Sequence, residues 1–169
     1  MAEVPTDERR IRYGTPTGDD IAVIIADKLE RIRALPRVIR RTDLAQHDGT
    51  RFANQVITTP DNCPLRTIVA FIEHIPPGWR SNKHGHMNDA LFYILSGSGY
   101  DVHDGRRIDW ESGDAVYVPP GVMHQHFNGS ETEAVEALVL NPKLSYLDAN
   151  LVYQHVLERP SGPSAANKG

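Results

Sequence analysis

The sequence predicts an all-β domain of closed or two-sheet antiparallel build, flanked by an N-terminal and a C-terminal helix. Three observations carry this. From residue 51 onward, short runs of β-branched and aromatic residues alternate with turn residues. The intervening segments "PDNCP", "PPGW", "HDGRR" and "ESGD" are rich in Pro, Gly, Asp and Asn. Two His-x-His pairs, His84/His86 and His124/His126, each follow a Pro/Gly turn.

The elements follow in order. Residues 1–50 form an N-terminal arm and helix. The arm is polar, broken by Pro5, Gly14 and Pro16. Thr17 and Asp19 suit the start of a helix, Ile21, Ile24, Ile25, Leu29 and Ile32 recur at helical spacing, and Pro36 stops it. Residues 51–141 form the β domain, with strands expected in "RFANQVITT", "LRTIVAFIEHI", "ALFYILSGSGYDVHD", "RRIDW", "DAVYVPP", "HQHFN" and "EAVEALVL". The Asp104-Gly105 pair suits a tight hairpin. After Asn141-Pro142, residues 142–158 are expected to be helical, and the Pro/Gly/Ser/Ala stretch 159–169 to be a disordered tail.

The bulk composition excludes several classes. The 169 residues suffice for one domain with a core. A net charge of -4 offers no general excess of Lys and Arg for nucleic acid or an anionic membrane surface. No apolar run approaches the ~20 residues that span a bilayer, and "MAEVPTDERR" is not a secretory signal. With Cys63 the only cysteine, no intrachain disulfide can form, and the expected compartment is the cytoplasm. No internal repeat is present.

The histidines carry the chemistry. In a strand, His84 and His86 point to one face with backbones ~7 Å apart, so their rings can converge on one ion. A lone His-x-His pair is most often a solvated strand face. Two pairs in one β domain argue for a metal site, with the further donor supplied by His124 or His126. Imidazole suits Fe, Zn, Cu and Ni.

Gly78-x5-His84-x-His86, followed later by the six residues Leu91 to Ser96 before Gly97, resembles the first cupin motif, and Gly113-x5-Pro119-x-Gly121-x2-His124-x3-Asn128 resembles the second. The resemblance implies a cupin jelly-roll β-barrel and assigns the metal ligands to His84, His86 and His124. The glutamate usual in the family falls on Ala90. Asp89 lies beside it but is turned to the other face by strand alternation, which favours a three-histidine site. "HGHMNDALFYILSGSG" and "HQHFN" are further similar to segments of the gentisate, salicylate and hydroxynaphthoate dioxygenases. Those are cupins with three-histidine iron, but of about twice this length and with two barrels. Single-domain cupins oxidising diketones and thiols also use three histidines.

Three neutral imidazoles leave the ion its full charge and open positions for an anionic chelating substrate and O2 or water. The expectation is therefore a non-haem Fe(II) dioxygenase acting on a hydroxylated aromatic acid or an enolisable diketone, with Zn, Ni or Mn as other metals. The rivals are a Zn- or Ni-dependent cyclase or isomerase of the polyketide-cyclase cupin type and a non-catalytic small-molecule binder. His126 is the candidate catalytic base or hydrogen-bond donor. Asn82, Arg80, Tyr93 and Asn128 are the candidate substrate contacts. Arg66 and Lys83 are further cations near the motif, and Trp79 and Tyr117 further aromatic groups. No partner is evident for His74 or His103. No nucleic acid or membrane partner is expected. The resemblance implies a homodimer in which the N-terminal arm and the exposed face of the first helix contribute to the neighbour.

Overall fold

The computed structural model describes residues 18–58 and 67–159. The chain divides into two units, residues 1–35 and 36–169. In the first, helix α1 runs Gly18–Ala34. It stops two residues before Pro36, which cannot continue a helical ladder. Residues 1–17, residues 59–66 with Cys63 and Arg66, and residues 160–169 lie outside the described residues.

The second unit opens with a short 3-10 turn, Arg41–Asp43. Ten strands follow, β1 Ala53–Val56, β2 Val69–Ile75, β3 Lys83–His86, β4 Ala90–Ser96, β5 Ser98–His103, β6 Arg106–Glu111, β7 Ala115–Val118, β8 His124–Asn128, β9 Val135–Asn141 and β10 Gln154–Glu158. Helix α2, Lys143–Asp148, separates the last two. The strands form two five-stranded antiparallel sheets, ordered β1-β2-β9-β4-β7 and β10-β3-β8-β5-β6. This is the two-sheet jelly-roll arrangement that the strand spacing predicts.

The sequence reading is corrected in two places. The run 90–104 is two strands in opposite sheets. Gly97, at φ 85°, turns the chain between them, and a side chain at Gly97 would lie 2.8 Å from Ala134 O. The helix expected over 142–158 occupies only Lys143–Asp148. Asn150, at φ 55°, leaves the helical region, and β10 pairs antiparallel with β3, setting Gln154 against His86 and Val156 against His84. That pairing satisfies the backbone of β3, the strand of His84 and His86, which would otherwise be an open edge. The Asp104-Gly105 hairpin forms as read, with both residues at positive φ (47° and 85°) and His103 opposite Arg106.

The core fills one end of the barrel. Ile75, Phe92, Ile94, Trp110, Val116, Val135, Ala137 and Val139 form a buried cluster, with Phe52, Phe71 and Trp79 packed against it. Strand register places this end. On β2 and β9, Val69 faces Asn141 at one end, Glu73 faces Ala137 in the middle, and Ile75 faces Val135 at the apolar end. The opposite end opens into a cavity of about 340 Å3. Among the described residues no helix is long and apolar enough to cross a membrane.

Candidate metal centre

The cavity is lined from both sheets. Its walls include His84 and His86 from β3, His124 and His126 from β8, Ala90 and Phe92 from β4, and Glu73 from β2. Lys143, Gln154 and Asn141 belong to the mouth. On β3 the alternation of the strand turns His84 and His86 inward together. His124 sits directly across from His84 in register. The turn that delivers β8 is fixed by Gly121, at φ 78°, whose N–H donates to His86 O at 2.8 Å. A residue with a Cβ is strained in that conformation.

His84, His86 and His124 bring one donor atom each within 4.8 Å of one another. Ring centroids are 4.3 Å apart for His84 and His124, 4.8 Å for His86 and His124, and 5.5 Å for His84 and His86. Each ring is oriented from behind by a backbone carbonyl. His84 Nδ1 meets Asn82 O at 3.0 Å, His86 Nδ1 meets Asn88 O at 2.6 Å, and His124 Nδ1 meets Val122 O at 3.0 Å. A carbonyl only accepts, so each Nδ1 carries the proton and each Nε2 keeps its lone pair. This is the tautomer a metal ligand needs and the outer hydrogen bond that metal-binding histidines usually show.

Electrostatics agree. Burial lowers all three imidazoles, outweighing their carbonyl bonds. His84 is pushed down to about 4, and His86 and His124 also lie below the ordinary histidine value. Neutral rings are the form that binds a cation. The donor set therefore fits a divalent ion. Three nitrogens match zinc with one open position or an octahedral metal with three. Ala90, buried at the cavity wall, supplies no donor, and Asp89 is not part of the cluster.

Behind the trio lies a charged network that sequence reasoning missed. His126 stacks on Phe92 with ring centroids 4.4 Å apart and planes 4° from parallel. Its Nδ1 donates to Asp101 Oδ1 at 2.8 Å. Asp101, fully buried, also accepts from Trp110 Nε1 at 2.8 Å and pairs with His103 Nε2 at 3.1 Å. Burial opposes a charge on either residue, but the pair charges together. The nearby Asp101 carboxylate and its hydrogen bond lift His126 to about 9. The His126 charge, with hydrogen bonds from His103, His126 and Trp110, holds Asp101 below the usual carboxylate range. His103 thus has its partner.

The remaining candidates divide. Asn82 lines the cavity, and its carbonyl orients His84. Asn128 is buried, but its amide is spent on the backbone. Nδ2 donates to Ile75 O, Pro76 O and Glu133 O at 2.8–3.0 Å, and Oδ1 accepts from Ser130 N–H. Tyr93 is 41% exposed and outside the cavity. Ala90, Phe92 and Ile94 point inward along β4, so position 93 must point out. Arg80 bridges to Phe127 on the backbone and does not line the cavity. Lys83 pairs with Glu158 at 3.6 Å, Trp79 packs on the core and Tyr117 is exposed. The cation that does reach the mouth is Lys143, whose Nζ donates to Gln154 Oε1 at 2.7 Å.

A second cluster, His47, His74 and Glu136, also brings donors within 4.8 Å. Here Arg41 holds Glu136 in a two-pronged ion pair. His47 Nδ1 accepts from Gly49 N–H at 3.1 Å, and His74 Nε2 meets Gly49 O at 3.2 Å, leaving His74 Nδ1 unpartnered. A dication would have to displace Arg41 and break the Gly49 turn, so this cluster braces the 3-10 turn to β2 and β9.

Comparison with known proteins agrees with the geometry. Residues 71–141 match the family model described as "Cupin domain". The chain is 32% identical to acireductone dioxygenase of Gallus gallus over 126 residues, covering 68% of this chain and 69% of that protein. It is 30% identical over 91 residues to 1-hydroxy-2-naphthoate 1,2-dioxygenase of Nocardioides sp. (strain KP7), covering 53% of this chain but only 23% of that one. Among solved structures, salicylate 1,2-dioxygenase from Pseudaminobacter salicylatoxidans superposes with a TM-score of 0.57 at 14% identity, covering 80% of this chain and 36% of that one. That last likeness is one of fold.

Proposed function

This chain belongs to the cupin family, and from that premise we propose that it is an Fe(II)-dependent dioxygenase cleaving a small chelating substrate with O2. A hydroxylated aromatic acid or an enolisable diketone fits best. The observation that carries the reading is the trio His84, His86 and His124, each locked with Nε2 free and with no carboxylate in the set. A redox-active ion held there would supply O2 activation beside a chelated substrate.

The chain's own groups do the rest. Lys143 at the mouth draws an anionic substrate in and complements its charge. Phe92, Val118 and Val139 give the cavity apolar walls that keep water from the reacting bonds. His126, held by Asp101, is the proton-transfer group beside the substrate. The relatives that match are dioxygenases, which supports the reaction class.

The test is oxygen uptake by Fe(II)-loaded protein given gentisate or an aliphatic enediol. The expected result is one O2 consumed per substrate cleaved, and unchanged O2 with both substrates would refute the reading. The charged His126–Asp101 pair would equally serve a redox-neutral isomerase or cyclase on Zn or Ni. Turnover in the absence of O2 would favour that alternative.

A further inference from the structure

The cavity floor holds a group that the chemistry above does not use. Glu73 sits in mid-β2, in phase with Val69 and Phe71, and all three line the cavity with the three imidazoles. It is 6% exposed, and its Oε1 is buried without a hydrogen-bond partner. Its cross-strand neighbours are Asn54 on β1 and Ala137 on β9. The charged groups near enough to act on it are His126 from β8 and Asp101 from β5. Buried carboxyl oxygens are almost always bonded, so a carboxyl that lines a cavity with one oxygen unpartnered calls for a partner the chain does not supply.

Register gives the depth. Glu73 lies four residues along β2 from Val69, the residue paired with Asn141 at the mouth, or ~13 Å at the strand rise. His126 lies two residues, ~7 Å, beyond His124. Glu73 and His126 both line the cavity and act on one another, so a small substrate chelated at the imidazoles can extend toward them. Burial, reinforced by Asp101 and opposed by His126, pushes Glu73 up to about 7. Near neutral pH it can both accept and donate a hydrogen bond.

We propose that Glu73 is the specificity-determining contact at the cavity floor, and that it selects a chelating acid bearing a hydroxyl or amino donor at the end remote from its chelating oxygens. The inference rests on the chelated-substrate reading given above. It distinguishes gentisate from salicylate. Both carry the carboxylate and the neighbouring hydroxyl, but only gentisate has a second hydroxyl on the far side of the ring.

The experiment is anaerobic titration of Co(II)-loaded protein with each acid, followed by the visible spectrum of the metal. Gentisate should bind about tenfold or more tighter than salicylate, because a buried polar group left unpaired rejects the ligand that lacks its partner. Glu73→Ala should remove the preference with cobalt content and salicylate affinity unchanged. Glu73→Gln, whose amide keeps an acceptor and a donor, should retain most of it. Equal affinities in the unaltered protein, or a ratio unchanged in Glu73→Ala, overturns the role of Glu73 and leaves the dioxygenase reading standing. No binding of either acid to the metal-loaded protein overturns the role of Glu73 together with the aromatic-acid form of that reading, which then stands only on the enediol arm of the oxygen-uptake test.

Discussion

Replacing Asp101 with alanine should destabilise the barrel by ~3–5 kcal/mol, the usual cost of breaking a buried charge pair from one side. Asp101 is completely buried and serves three donors, Trp110 Nε1 at 2.8 Å, His126 Nδ1 at 2.8 Å and His103 Nε2 at 3.1 Å. Alanine leaves an indole N–H and a His126 ring stranded between Phe92 and the core. Asparagine keeps an oxygen for Trp110 and His126 but loses the charge, and should cost about 1.5–3 kcal/mol, the value of a hydrogen bond to a charged group. The assay is urea unfolding of metal-free protein across pH. Asp101 stays ionised in the fold to lower pH than the ~3.9 of a free aspartate. Its stabilisation is therefore complete above about pH 4 and fades as pH falls toward the lower folded value. His126 stays protonated up to about 9, against ~6.5 when unfolded. Its share is complete below about pH 6.5 and is lost as pH rises toward about 9. Stability from this pair thus peaks between about pH 4 and 6.5 and falls on both sides, and Asp101→Asn should flatten both slopes. A loss below ~1 kcal/mol in Asp101→Ala, or an unchanged pH profile in Asp101→Asn, would refute the reasoning.

Three further outcomes follow from other residues. Gly99→Ala should lower the unfolding midpoint sharply or prevent soluble expression, since a Cβ there would lie 2.1 Å from Phe127 O and 2.5 Å from the Trp110 ring; an unshifted thermal midpoint would contradict the packing. Asn128→Ala should cost ~1–3 kcal/mol by stripping partners from buried carbonyls, while metal content, read by elemental analysis, stays the same. Ala90→Glu should return a carboxylate to the ion, slowing metal loss to a chelator. It should also weaken gentisate binding about tenfold, a loss comparable to that of one charge-assisted contact.

The convergence of His84, His86 and His124 was legible in the sequence because strand alternation is local. Two residues apart on a strand means one face, and the glycines before each pair mark the turns. The same rule, applied from Ala90, turns Tyr93 outward, so its place on the outer surface was legible too. Glu73 was not. A glutamate inside "VAFIEHI" becomes a cavity residue only because β2 lies between β1 and β9, a non-local fact. Asp101 was hidden for the same reason, since two of its three partners, Trp110 and His126, come from β6 and β8. Lys143 read as the start of a helix running to residue 158, and only the Gln154 pairing brings it to the mouth. The segment 151–158 mixes apolar spacings that suit helix or strand, and the free edge of β3 decides between them.

The most direct measurement is X-ray absorption at the edge of zinc bound to the full chain. The account predicts three imidazole nitrogens at ~2.0–2.1 Å, completed by water, and two after His124→Ala. Carboxylate oxygens in place of one of those rings, or a spectrum that His124→Ala leaves unchanged, would contradict it.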